Sequence, residues 1–206
     1  MQAELQAGLN AMQITLSAAQ QTQLLNYINL LDKWHNTFSL PAVRERDKML
    51  SHHVLDSLAV LPHLTGEYVL DVGSGGGTPG IPLAIARPDW QITLIDSNHK
   101  KTSFLQQAVI ELGLKNVQVV CERVELYQPS HAFDWIVSRA FSDLSEFVRL
   151  TLAHLAENGH YAALKGVYPF EEIKQLPSNV QVHSVPKLQV PQLLAERHVV
   201  ILERVQ

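Results

Sequence analysis

Cysteine occurs once in this 206-residue chain, at Cys121, so no internal disulfide can form, and a reducing compartment is the expectation. Long apolar runs are missing as well. No stretch approaches the about 18 residues that a membrane span needs. The opening MQAELQAGLNAMQ lacks the basic-then-apolar pattern of a secretion signal, so the sequence predicts a cytoplasmic protein without membrane contact. Charged residues are sparse at 17%, and the formal net charge is −4, so composition gives no sign of a nucleic-acid binder. A local basic patch is still compatible with that balance, because local potential governs association. There is no repeat, no low-complexity tract and no Gly-x-x-x-x-Gly-Lys-Ser/Thr loop, which sets aside solenoids and P-loop nucleotide hydrolases.

What is present divides into two parts. Residues 1–65 read as helical. Ser17 and Gln20 form a capping box ahead of Leu24, Tyr27, Ile28, Leu31 and Trp34, which share one helical face. A second helix is expected from Arg46 to Leu61, ended by Pro62. From 66 to 206 the pattern changes to short apolar strands alternating with helices. Strands are expected at Tyr68–Val72, Gln91–Ile95, Val117–Cys121, Trp135–Ser138 and His160–Leu164, with helices near Ile81–Ala86, Lys100–Leu112 and Leu144–Leu155. Such alternation implies a parallel sheet covered on both faces. Val180–Val185 and His198–Glu203 are too close for a helical crossover, so they form an antiparallel pair. The prediction is an α/β fold of the class I, Rossmann-like methyltransferase type. Its sheet is mostly parallel with an antiparallel last strand, and an N-terminal helical cap (1–65) sits on the core (66–206).

The chemistry concentrates after the first strand. Leu70-Asp71-Val72 runs into Gly73-Ser74-Gly75-Gly76-Gly77-Thr78-Pro79-Gly80, five glycines in eight residues. Glycines at alternate positions permit a tight turn that a ligand can approach closely. Pro79 and Pro82 mark the entry into the next helix, where a missing N–H costs nothing. From Gly73 the pattern is Gly-x-Gly-x-Gly, the form expected for S-adenosylmethionine. From Gly75 the spacing also fits the dinucleotide fingerprint, but that fingerprint begins at the strand end, where its third glycine position would be Thr78. Asp96 follows the second strand, 23 residues after Gly73, where a carboxylate can accept both ribose hydroxyls of either nucleoside cofactor. A plain reading of Asp96 is the N-cap of the next helix. Glu125, after the third strand, stands near the expected adenine end.

The rest narrows the reaction. After the fourth strand the chain reads Ser138-Arg139-Ala140-Phe141, without the Asn/Asp-Pro-Pro-Tyr/Phe of exocyclic amino methylation. Cys121 ends an apolar strand and is expected to be buried packing, so a cysteine nucleophile for pyrimidine carbon methylation is missing. A purine ring nitrogen, which carries a free lone pair, fits what remains. Positioning then outweighs acid–base catalysis, and neither a general base nor a metal is expected. His52 and His53 point about 100° apart on a helix, which argues against a shared metal.

The run DVGSGGGTPGIPLAI, with ARPDW, TLIDS and VSRAF after it, resembles the RsmG (GidB) family. So do HHVLDSL upstream and ALKG, KLQVP and ERHVVIL downstream, in family order over nearly the whole chain. The resemblance implies methyl transfer from S-adenosylmethionine to N7 of one guanosine in 16S ribosomal RNA, by a monomer acting on the RNA or the small ribosomal subunit. It places Gly73, Thr78, Val124, Glu125 and Arg139 at the cofactor, beside Gly75, Gly77 and Asp96. It gives Arg139 an orienting role facing the target. Thr78 replaces a usual large apolar residue and Gly76 a usual proline or alanine, which implies a more flexible loop. The family's Tyr-Asn-Leu-Thr stretch reads Phe38-Ser39-Leu40-Pro41 here. His53, Lys165 and Arg197 are the candidate RNA contacts, within a wider set of Arg44, Arg46, Lys48, His52, Lys100, Lys101 and His198. A solvated or ion-paired charge is the plain reading of each. The rival functions are a methyltransferase acting on another RNA, a small molecule or a protein, and a non-catalytic nucleotide-binding module.

Overall fold

The computed structural model describes residues 1–38, 46–139, 141 and 143–205, with side chains described outside 35–47. Seven strands form one sheet in the order β3-β2-β1-β4-β5-β7-β6. They are β1 (Tyr68–Val72), β2 (Gln91–Ile95), β3 (Val117–Val120), β4 (Phe133–Ser138), β5 (Leu155–Lys165), β6 (Val180–Ser184) and β7 (His198–Arg204). The first five are parallel, and β7 inserts antiparallel between β5 and β6. That is the mostly parallel sheet with an antiparallel last strand expected from the sequence.

Strand residues alternate between two cores, as a period of two requires. Val69, Val137, Ala162, Val199 and Ile201 face one layer, while Leu70, Ile136, Tyr161, Val200 and Leu202 face the other. The first layer holds α5 (Gly80–Ala86) and α6 (His99–Leu112). It also holds α1 (Gln2–Ala11), α2 (Ala18–Phe38) and the segment from Arg46 to Leu58. Leu5, Leu24 and Leu55 therefore belong to the same apolar cluster as Ile81 and Phe104. The other layer centres on α7 (Leu144–Thr151), with the short α8 (Phe170–Lys174) at its edge. Among the described residues, no helix is long and apolar enough to cross a membrane.

Local signals explain the element ends. Gln20 N donates to Ser17 Oγ and Ser17 N to Gln20 Oε1, the reciprocal capping box. The Gln20 amide also reaches the carbonyls of Ile85 and Ala86, which ties α2 to the end of α5. α6 begins at Asn98, whose side chain accepts the Lys100 and Lys101 N–H groups, and ends at Gly113 in the left-handed region. Asp96 is thus not the cap of that helix.

Three expectations need correction. The single helix expected over Arg46–Leu61 is α3 (Arg46–Met49), a π turn (Leu50–Leu55) and α4 (Asp56–Leu58). Pro62 sits inside a later 3-10 turn, Leu61–His63. The helix expected to reach Leu155 stops at Thr151, a 3-10 turn spans Leu152–His154, and Leu155 already opens β5. Cys121 lies just beyond β3 and is exposed, because β3 is an edge strand with little cover. Periodicity reports apolar faces; it does not report where a sheet ends.

Candidate active site

The glycine turn lies at the carboxyl ends of the parallel strands, where open α/β sheets bind ligands. Gly73, Gly75 and Gly77 all take positive φ, at 70°, 57° and 94°. At Gly77 a side chain would also strike Ile81, with a Cβ 2.5 Å from its Cδ1. The turn is held from three sides. Gly75 N donates to Asp96 Oδ2 at 3.0 Å, and Gly80 N donates to Asp71 Oδ2 at 2.9 Å. From the helical layer, Tyr27 Oη donates to Gly76 O at 2.6 Å. Thr78 is buried and precedes a cis peptide to Pro79.

Asp96 is 8% exposed, and each of its oxygens takes one backbone N–H, from Gly75 and from Asn98. Lys101 Nζ stands 3.6 Å away. Each carboxylate oxygen accepts more than one hydrogen bond, so the group is fixed in place yet can still take vicinal hydroxyls. It borders a cavity of about 360 Å3 lined by Gly73, Ile95, Asp96, Val124, Glu125 and Phe141, among others. That volume suits a small-molecule ligand. The apolar walls of Val72, Ile95, Val124 and Leu150 suit a flat base, and the carboxylate suits a ribose. Four of the predicted cofactor residues therefore meet in one cavity, and Gly75, Gly77 and Thr78 form the turn beside it. Glu125 is exposed and paired with Arg123 at 2.6 Å; a local backbone hydrogen bond, and then Arg123, hold its carboxyl below the usual range. A larger concavity of about 960 Å3 opens at the start of β5, on the opposite edge of the sheet, and lacks this turn.

Asp71 is the acid that sequence reasoning passed over. It is fully buried, and its Oδ1 has no hydrogen-bond partner among the described residues. Burial pushes its carboxyl up to about 7, against the Gly80 N–H and the Arg139 charge. A carboxylate inside an apolar strand, two residues before the first glycine, was the available signal.

Arg139 turns away from the cavity wall toward the π turn. Its guanidinium donates to His52 O at 2.8 Å, lies 3.4 Å from His53 Nδ1 and stands 3.6 Å from Asp56 Oδ2. Arg197 Nε donates to Asp56 Oδ1 at 2.9 Å. The structure thus brings together His53, Arg139 and Arg197 around Asp56, a residue quoted only within HHVLDSL. Its signal was a carboxylate between Val54, Leu55 and Leu58, all of which face the core.

Lys165 stands apart. It is 12% exposed, donates to Phe141 O and pairs with Glu172 at 2.7 Å. His198 is buried against Gly166 O, Lys101 faces Asp96, and Lys100 is exposed on α6. These cations do not make one continuous rim. Arg44 and Ser39-Leu40-Pro41 lie outside the described residues, as does the Arg46 side chain.

Comparison with known proteins gives the context for this geometry. The family model for rRNA small subunit methyltransferase G matches residues 20–200. A Laribacter hongkongensis protein named ribosomal RNA small subunit methyltransferase G is 63% identical, over 97% of this chain and 96% of its own length. One of the same name from Chromobacterium violaceum is 57% identical, over 96% and 95%. Among solved structures, an Aquifex aeolicus S-adenosylmethionine-dependent methyltransferase aligns with a TM-score of 0.61. It is 19% identical and covers 83% of this chain and 97% of its own. A Thiobacillus denitrificans methyltransferase in complex with S-adenosylhomocysteine aligns at 0.55 and 13%, covering 81% and 100%. The two structural likenesses concern the fold; the sequence matches carry the assignment, and the chain belongs to the rRNA small subunit methyltransferase G family.

Proposed function

We propose that the protein transfers a methyl group from S-adenosylmethionine to N7 of a guanosine in 16S ribosomal RNA, acting as a monomer in the cytoplasm. The observation that carries this reading is the fixed Asp96 carboxylate. It faces a cavity with both apolar and charged walls, beside three left-handed glycines, in a chain of this family. S-adenosylmethionine supplies an electrophilic methyl group. Asp96 holds the ribose, Val124 and the apolar walls receive the adenine, and Gly73, Gly75 and Gly77 bring backbone close to the methionine end. Guanine N7 already presents its lone pair, so no side chain has to remove a proton before attack. The protein's contribution is alignment, with Arg139 as the orienting residue next to the turn.

Incubation with labelled S-adenosylmethionine and small ribosomal subunits lacking the modification tests this reading. The expected product of nucleoside analysis is labelled 7-methylguanosine. Label in another nucleoside would overturn the N7 assignment, and label in added protein or small molecules alone would overturn the RNA assignment.

A further inference from the structure

Toward the amino ends of the parallel strands, one row of side chains crosses four strands. Trp135 on β4 pairs with His160 on β5, His160 with Glu203 on β7, and Glu203 with Gln181 on β6. β1 enters the same row at Val69, whereas the glycine turn follows Val72, so the row stands apart from the cofactor cavity. β6 adds a second imidazole. Its pairing passes from Val182 to Ser184 and skips His183, a bulge of the kind that re-aims a side chain. His183 stands against Glu203, with Nδ1 3.0 Å from Oε2. His160 Nε2 reaches the same oxygen from the strand on the other flank, at 3.6 Å.

Two ring nitrogens and a carboxylate oxygen thus converge, all within 4.8 Å of one another. A hydrogen-bonded pair needs one histidine; here two imidazoles address one oxygen. The spacing is that of a coordination sphere. Ligand atoms at about 2.0–2.2 Å from a tetrahedral ion lie about 3.3–3.6 Å from each other. The contacts of 3.0 and 3.6 Å need only small side-chain shifts to meet it. The ligands are also held from outside. Gln181 Nε2 donates to Glu203 Oε1 at 2.8 Å, which leaves Oε2 for the cluster. The Trp135 ring stacks on His160 at 5.0 Å and 22°. Outer partners of this kind orient metal ligands before the ion arrives. The cluster lines the concavity of about 960 Å3 at this edge, so water can reach a fourth position.

We propose that His160, His183 and Glu203 bind a divalent transition-metal ion, Zn2+ by preference, with water as the fourth ligand. Two neutral imidazoles and one carboxylate form a donor set that this ion takes together with an open position. Any ring protons that face Glu203 leave as the ion binds. The role is structural. β6 is the outermost strand and touches β5 only by way of β7, and one ion ties all three together. The site does not depend on which substrate the protein methylates.

The test titrates the full chain, freed of metal by chelation and dialysis, with Zn2+ by calorimetry, and follows thermal unfolding with and without the ion. One Zn2+ per chain should bind, with a Kd in the micromolar range or below. At about a hundredfold excess over Kd, Zn2+ should raise Tm by about 5–10 °C. His183→Gln changes an exposed side chain and leaves the core intact. It and Glu203→Gln should each weaken binding by more than about 100-fold, beyond what the loss of an outer partner costs, and abolish the Tm shift. His131→Gln, at an exposed histidine outside the cluster, should bind and shift as wild type does. Should Glu203→Gln fail to fold, His183→Gln decides alone. No saturable binding to wild type would overturn the site and leave a hydrogen-bonded cross-strand ladder. Binding that survives His183→Gln at wild-type affinity would also overturn it, because the ion would then sit elsewhere. Binding at this cluster without any rise in Tm would overturn the structural role.

Discussion

The two halves of the site are built by different means. The proposed cofactor half comes from adjacent strand–turn–helix units: β1 with the glycine turn, β2 with Asp96, and β3 with Val124. Each functional group sits within a few residues of the strand end that places it. The arginine half is assembled from Asp56, Arg139 and Arg197, which only the folded chain brings together. The first half depends on backbone conformation, the second on paired charge. A change in backbone freedom should therefore damage the first, and a change in charge the second. Asp71 tests where the two meet, since it braces the turn through Gly80 and feels the Arg139 charge.

The largest expected effect concerns that acid. Its folded carboxyl titrates near 7, whereas an unfolded aspartate titrates near 3.8. Between those values the folded state binds the extra proton. The stability it contributes is complete below about pH 4, falls as pH rises, and is gone above about pH 7. The loss is on the order of 4 kcal/mol. Asp71→Asn cannot ionise, so urea unfolding of both proteins from pH 4 to 8 isolates the effect. The stability of wild type relative to the variant should fall across this window. A difference that stays constant with pH would show that the buried carboxyl does not titrate there.

Asp96→Ala comes next. Losing charge-assisted hydrogen bonds to a ribose costs about 1.5–3 kcal/mol, so cofactor affinity should drop on the order of 10- to 100-fold by calorimetry. The fold should persist, because α6 is capped by Asn98 instead. Affinity near wild type would remove Asp96 from the ribose site and leave the arginine half untouched.

The same contrast governs what the sequence made legible. The glycine turn, Asp96 and all seven strands could be read because their signals are local: alternate glycines, an acid at a strand end, short apolar runs. Boundaries were less legible. Leu155 looks like the end of an apolar helix and instead starts β5 beside Phe133, a pairing made across the sheet. Cys121 looked buried because its strand is apolar, but only the fold shows that β3 is the uncovered edge. Arg139 could be nominated as a cation after a strand end, and Arg197 as one of a wider set of basic residues. Their common partner could not, since nothing near Asp56 in the chain points to residues 139 or 197. Lys165 carried the same kind of signal as Arg139, yet it pairs with Glu172 on a helix too short to announce itself.

The smallest predicted effect asks whether the N-terminal helix α2 tunes the proposed cofactor half. Tyr27 is fully buried, and burial pushes its phenol well above the usual range, so it stays a neutral donor to Gly76 O. Tyr27→Phe keeps the packing and removes one neutral hydrogen bond. The Gly76 carbonyl is half-buried, so water can partly replace the lost donor, and the cost should be about 1 kcal/mol in urea unfolding. The turn keeps its ties to Asp96 and Asp71, so cofactor affinity should fall by less than about fivefold. Glycine at 76 restrains its own backbone least, and this tie supplies from α2 a restraint that the residue itself lacks. A tenfold loss of affinity with unchanged stability would mean that Tyr27 shapes the turn for its ligand. In that case α2 would belong to the proposed cofactor site as fully as the strands do.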